Sequence, residues 1–477
     1  MSGPLRGVSA VEDARRAARV QGERLGRAVL PALAAGLALA IVALFVVLDY
    51  GLDQSSHRLV KILAGASLVA GVLLRPHLGL LTLPVLTPFL PMLPKLPVPG
   101  INALNVALCT VFLAYAIPAA VRREPLFKAG RLGGLLVALV ALAGLSIGRG
   151  AAFPSALDYD PGFAGQQLLR VSMTFVTYFI GLAMSREPRH RRALVWAVVA
   201  GLLVEAVYTI LQGRTGRGGR AVGSIGQSND LGAFLALFTV FSGALWFGVR
   251  AWTGRLVLVS ALVAGTWGIL LSVSRGAMAA VVAGLALVAL FRSRMLLVLI
   301  GAALVTSPLW APDYVKERVL STQVEDETYD EVMLESSSRL RVDTWAAIVD
   351  IVLENPIIGV GFNGLGALLP EVGSARGVQV KDSAHSTFLR FLGEMGILGL
   401  GLFVWILVAS ARLGWAAWRQ GRDAWERHVG LGFLAVTLAT VVNCLFGDRF
   451  YQITISGNFW LLAAVVDNQL DREGERA

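Results

Sequence analysis

Apolar blocks close to twenty residues long alternate with short polar breaks along most of this chain. Fourteen can be drawn, at roughly 29–50, 58–75, 77–93, 101–121, 132–148, 168–184, 193–211, 229–249, 256–273, 276–291, 295–310, 386–411, 429–446 and 454–467. A helix of about 20 residues crosses the hydrocarbon core of a bilayer, and only helices or closed barrels satisfy their backbone polar groups there. The pattern predicts an all-α fold, a polytopic transmembrane helical bundle of about 12–14 spans. The last block is short. Block 77–93 holds Pro84, Pro88 and Pro91, which predicts a kinked or partly re-entrant segment. Residues 10–27 carry Arg15, Arg16, Arg19, Arg24 and Arg27 and read as an amphipathic helix on the membrane surface. The first block has too long a polar lead to be a cleaved signal peptide.

One break is far longer than the rest. Residues 311–384 make a 74-residue connection, and long connections are usually functional. Ser336, Ser337 and Ser338 predict the cap of a helix from Arg339 to about Leu353, with Leu340, Trp345, Ile348, Val349 and Val352 on one broad face. Asn355-Pro356 ends it. The expected organisation is a cytoplasmic segment 1–28, spans 1–11 within 29–310, a large helical periplasmic loop 311–384, spans 12–14 within 385–467, and a cytoplasmic tail 468–477.

Composition supports this. The 477 residues are 56% hydrophobic and 16% charged, which excludes a disordered chain and soluble domains. Cys109 and Cys444 both fall inside apolar blocks and supply neither a zinc cluster nor a disulfide framework. The net charge of +10 reads as basic loops that set orientation, so no nucleic-acid partner is expected. With the N-terminus cytoplasmic, inside segments hold 25 of the 42 basic residues. The long loop then faces outward, and its 13 acidic residues outnumber its 6 basic ones.

Several polar positions stand out against this background. The outside arginines Arg214, Arg217, Arg220, Arg275, Arg339 and Arg341 have no orienting role. Each can snorkel to lipid phosphate; several together suit a diphosphate, which guanidinium binds in a bidentate way. His385, at the junction of the loop and the next span, is either an interfacial histidine bonded to backbone or a general base. Glu205 and Glu394 lie in or at the ends of spans, either paired with arginine or backbone amides or part of a proton relay. Gly359 to Gly364 matches G-x-G-x-x-G, but it follows a helix stop rather than a strand. It reads as a tight turn that returns the loop helix to the membrane surface. Asp158-Tyr159-Asp160 reads as a solvated turn.

Four stretches together resemble the O-antigen ligase/polymerase superfamily of bacterial envelope polysaccharide enzymes. They are Arg220 to Asn229, Ser274-Arg275-Gly276, Arg341 to Trp345 followed by Asn355 to Gly361, and His385 to Gly396. Ser386 stands where the family commonly has Asn, and fourteen spans exceed the twelve usual in ligases. The resemblance implies metal-independent, inverting glycan transfer at the periplasmic face of the inner membrane. The donor would be a glycan on undecaprenyl diphosphate. The acceptor would be a hydroxyl of lipid A-core in a ligase, or of a second lipid-linked glycan in a polymerase. Carried over by position, His385 is the base. Arg220 and Arg341 hold the diphosphate, Arg275 is a third ligand, Arg339 competes with Arg341, and Arg214 sits in the same cluster. Glu394 and Asn229 are supporting residues. No metal site and no cofactor are expected. The alternative is a secondary transporter or lipid-linked glycan flippase that uses Glu205, Glu394 and His385 as a relay. Transporters usually carry paired broken spans in related halves, and no such symmetry is visible.

Overall fold

The computed structural model describes residues 76–92, 103–123, 129–155, 158–216, 219–320, 323–326, 331–334, 336–378 and 383–471. The apolar blocks 29–50 and 58–75 and the basic stretch 10–27 lie outside the described residues. The other twelve blocks all fall on helices.

These helices are α1 (Pro76–Leu86), α2 (Ala103–Val121), α3 (Gly130–Ala152), α4 (Pro161–Met184), α5 (Pro188–Gln212), α6 (Ser228–Leu245), α7 (Trp252–Ser272), α8 (Arg275–Arg292) and α9 (Arg294–Val305). Then come the short α10 (Ser307–Trp310) and α11 (Asp313–Leu320), a hairpin of β1 (Gln323–Asp326) and β2 (Glu331–Leu334), and α12 (Ser336–Glu354). The chain continues through α13 (Leu365–Ala375), α14 (Thr387–Gln420), α15 (Ala424–Leu445) and α16 (Ile453–Leu470). Among the described residues, eight helices are long and apolar enough to cross a membrane: α3 to α8, α14 and α15. The protein is an all-α, multi-pass membrane protein.

Helix α6 is the axis of the bundle. Every residue from Asp230 to Leu245 is buried, as a helix apolar all round must be when other helices surround it. Helix α16 falls below the apolarity of a lipid-facing span, yet Thr454 to Gln469 is buried throughout. Its polar residues face protein instead of lipid. Asn458 Nδ2 donates to the Pro84 carbonyl at 3.0 Å. Pro88 lacks the N–H that would have met that carbonyl four residues back, so the proline break expected in block 77–93 is completed from α16. At the same break, Ser224 Oγ donates to the Pro88 carbonyl at 2.9 Å. Small residues let helices touch: a Cβ on Gly181 of α4 would lie 2.7 Å from Ala464 of α16.

The loop helix α12 runs slightly longer at both ends than the sequence predicts. Its buried face is Thr344, Ala347, Ile348 and Ile351, packed on Val360, Leu365, Leu368 and Leu369. Val349, expected on that face, is half exposed, because it stands one position from Ile348 and so about 100° around the helix.

The decisive joint lies where the loop meets α14. That helix unwinds at Gly396, with φ 65° and ψ −162°. The segment after α12 fills the break: Val360 N donates to Gly393 O at 3.0 Å, Gly361 N to Glu394 O at 3.0 Å, and Ile397 N to Pro356 O at 2.9 Å. The glycine-rich turn is therefore a docking strip for an opened membrane helix rather than a free turn at the membrane surface. Gly359 (φ 67°) must lack a side chain, since a Cβ would sit 2.5 Å from the Glu394 backbone. This joint fixes the loop helix, and everything it carries, against the bundle.

Candidate active site

Five connections meet at the end of the bundle that carries α12. They are residues 153–160, 213–227, 273–274, the long loop with α12 and α13, and 446–452. Two adjoining cavities lie between them.

The smaller, of about 80 Å³, is a strongly cationic cleft. Arg220, Arg275, Arg341 and Arg449 line it, with Asn229, Asn443, Val273, Ser274, Gly276 and Phe446. Each arginine comes from a different segment. Arg220 is held from two sides: its Nε donates to Ser272 O at 2.9 Å and its Nη2 to Asn229 Oδ1 at 2.7 Å. Arg449 is 8% exposed and forms an ion pair with Asp230, in the first turn of α6. Burial, then the like charge of Arg220, pulls the Arg449 pKa down to about 10. Helices α6 and α8 both begin at this cleft, so their free N–H groups and positive dipole ends add to the field.

The larger cavity, of about 1210 Å³, shares Asn229, Arg341, Phe446 and Arg449 with the cleft. His385 lines it, half-buried, at φ 53°. Its backbone N–H meets Ser383 Oγ at 3.4 Å, and Ser383 Oγ donates to Asp448 Oδ2 at 3.0 Å. Trp345 Nε1 donates to the Ala384 carbonyl at 3.1 Å, tying the histidine's segment to α12. Behind it, Arg390 bonds Glu394 Oε1 at 3.0 Å and Asn363 Oδ1 at 3.1 Å and lies 4.2 Å from the centre of the Tyr451 ring. Burial and the charge of Glu394 push the Tyr451 hydroxyl well above its usual range, and the same two causes raise Tyr159.

The structure sorts the sequence-derived candidates. His385 and Asn229 line the large cavity; Arg220, Arg275, Arg341 and Asn229 line the cleft. Arg339 lines neither and is exposed, because two helical positions from Arg341 turn it about 200° away. Arg214 also lines neither. Its guanidinium stacks 3.9 Å over Tyr314 and bonds the Gly219 carbonyl. Glu394 is outside both cavities and serves the joint and Arg390. Glu205 is fully buried, accepts from Ser224 N at 3.0 Å and meets Ser224 Oγ, which pins the loop that presents Arg220.

Four residues of the site escaped the sequence reading: Asn443, Asp448, Arg449 and Tyr451. The signal was Gly447-Asp448-Arg449, a charged island between two apolar blocks on the same side as the other unexplained arginines. Asp158 and Asp160 are exposed as expected, Tyr159 is half-buried, and all three line the large cavity. Asp160 also caps α4, accepting from Gly162 N at 2.8 Å. Among the described residues no cluster of three His, Cys, Asp or Glu side chains forms a metal site.

Residues 260–404 match the O-antigen ligase family. The match covers 145 of the 477 residues and supports the resemblance to the O-antigen ligase/polymerase superfamily. The matched region contains Arg275, Arg341, His385 and the α14 joint, while Arg220 and Arg449 reach the same cleft from outside it. No curated protein matches the chain.

Proposed function

We propose that this protein transfers a glycan from an undecaprenyl diphosphate carrier to a sugar hydroxyl at the periplasmic face of the inner membrane. The observation that carries the reading is the convergence of Arg220, Arg275, Arg341 and Arg449 on one cleft that opens beside His385. The match of residues 260–404 to the O-antigen ligase family supports it.

The donor's diphosphate lies in the arginine cleft and its first sugar faces the large cavity. His385 takes the proton of the acceptor hydroxyl as that oxygen attacks the anomeric carbon. The bond from that carbon to the diphosphate oxygen breaks on the opposite face, so the configuration inverts. Negative charge grows on the leaving oxygen, and guanidinium groups fixed beforehand stabilise it without a metal. Losing one such donor typically costs roughly 10²–10³ in rate, and losing a general base roughly 10²–10⁴.

The test is transfer by purified protein given undecaprenyl diphosphate glycan with EDTA present. One tube receives lipid A-core and another receives donor alone. Glycan on lipid A-core identifies a ligase; a ladder from donor alone identifies a polymerase. His385→Ala is expected to fold and insert but to transfer nothing. No product in either tube, with His385→Ala indistinguishable from wild type in cells, would turn the assignment to a transporter.

A further inference from the structure

The large cavity has a mixed lining. Arg341 and Arg449 line both it and the arginine cleft. The 153–160 connection, the start of α4 and α13 add Asp158, Asp160 and Glu371, with Gln167 and the rings of Tyr159 and Phe163, and none of these lines the cleft. None of the diphosphate chemistry uses this wall. At about 1210 Å³ the cavity exceeds the 300–1,000 Å³ usual for small-ligand pockets, and it extends well past the cleft. Among the buried polar atoms on its lining without a hydrogen-bond partner are Asp448 Oδ1 and Arg449 Nε, the latter on a side chain 9% exposed. A polar ligand is the partner such atoms fit.

The wall's chemistry names that ligand's class. Ionised carboxylates accept hydrogen bonds and donate none, so they suit hydroxyl and ammonium groups. Aromatic faces suit the C–H faces of sugar rings. A second carboxylate brought against this wall meets like charge. We propose that this part of the cavity lining is a saccharide-binding site for sugars that are uncharged or carry an amine, and that Asp158, Asp160 and Glu371 exclude sugars bearing carboxylates. The proposal rests on the diphosphate occupying the arginine cleft, which leaves the acidic wall to the glycan.

The test uses the full chain in nanodiscs and three free trisaccharides, of glucose, of glucosamine and of galacturonic acid, with affinities read by saturation-transfer NMR. The glucosamine and glucose trisaccharides are expected to bind, and the galacturonate to bind at least about fivefold more weakly, the effect of one solvated like-charge contact. Asp158→Asn with Glu371→Gln should bring the galacturonate close to the glucose trisaccharide. Both side chains are exposed, so the variant should fold, and an unchanged melting temperature checks that. Asp160→Asn keeps an N-cap and serves as a third arm. Galacturonate binding as well as glucose to wild type, a ratio unchanged in the double variant, or no binding by any of the three would each overturn the proposal. Failure here and failure of the transferase reading are separable. Sugar binding in the expected order without transfer would sink only the enzyme assignment. Efficient transfer of a uronate-bearing glycan would sink only the specificity.

Discussion

Replacing Gly396 by alanine tests whether the joint between loop and helix governs the site. At φ 65° and ψ −162° the backbone lies where only glycine is at ease, and alanine there costs about 1–3 kcal/mol. Its Cβ would also stand 2.1 Å from the Ile357 carbonyl oxygen and 2.5 Å from Ile358 N, both backbone atoms that cannot swing aside. The docking strip must move, which weakens the three hydrogen bonds from Val360, Gly361 and Ile397, each worth about 0.5–1.5 kcal/mol net. The sum, roughly 3–8 kcal/mol, is enough to open the joint locally while the buried bundle around α6 stays folded. Because α12 carries Arg341 and its Trp345 holds the His385 segment, transfer should fall by about 100-fold or more, the usual effect of misplacing reacting groups by about 1 Å. Gly401→Ala on the same helix is the control. Nothing lies within 4 Å of its Cβ, and removing a helical glycine stabilises by about 0.5–1 kcal/mol. The assay compares both variants for transfer rate, melting temperature and proteolysis within residues 311–384. If Gly396→Ala keeps activity within about threefold and matches the control's cleavage pattern, the joint does not position the site.

Arg449→Ala should lower transfer by roughly 10²–10³, and Arg449→Lys should recover only part, since an ammonium keeps the charge facing Asp230 but not the bidentate geometry; steady-state rates on the lipid-linked donor decide it. Arg341→Ala should raise the donor KM and lower kcat, whereas exposed Arg339→Ala should change neither by more than about threefold; equal effects would remove Arg341 from the cleft assignment. The depressed pKa of Arg449 makes a pH prediction: the empty cleft loses one charge as pH rises through about 10, so polyprenyl diphosphate binding should be flat near neutrality and fall above about pH 9. The sign for stability is opposite. Above about pH 10, and until the ordinary arginine range is reached, the unfolded chain holds the proton that the folded chain has lost, so this group's contribution to stability rises with pH there.

The spans were legible because lipid permits little else: a twenty-residue apolar block has one way to satisfy its backbone. Even α16, polar at Asn458, Asp467 and Asn468, was marked by its apolar remainder, although its partners belong to tertiary structure. Asn458 meets a proline break more than 370 residues away. The candidate arginines were legible as charges that orientation does not explain, but their sorting was not. Arg339 and Arg341 differ in sequence by two positions and in space by a little over half a helical turn. Arg449 hid in a connection too short to suggest a site, and it becomes part of one only because 446–452 folds across the starts of α6 and α8. The break at Gly396 was illegible for a plainer reason. Glycine is common in membrane helices, and nothing local separates Gly396, which opens the helix, from Gly401, which does not.

The residues that break local rules gather at these cavities. Four non-glycine residues among the described ones have positive φ, and three of them, Val273, Asn363 and His385, line the cleft or the large cavity. For a β-branched valine that conformation is a true outlier. Each such residue costs on the order of 1–3 kcal/mol and persists only where its surroundings over-determine it. Here the surroundings can be named. Val273 links α7 to α8 where both ends are packed, Asn363 is bonded by Arg390, and His385 is held between Trp345 and Asp448 through its neighbours. The arginines break a second rule, since four cations in one cleft repel one another, and burial together with the charge of Arg220 depresses Arg449 despite its pairing with Asp230. A chain selected for stability alone has no reason to place strained backbone and crowded like charge at the same end of the bundle. On the proposed function, an anion bound at the cleft would relieve the repulsion, so that binding the donor would lower the free energy of the site as a whole.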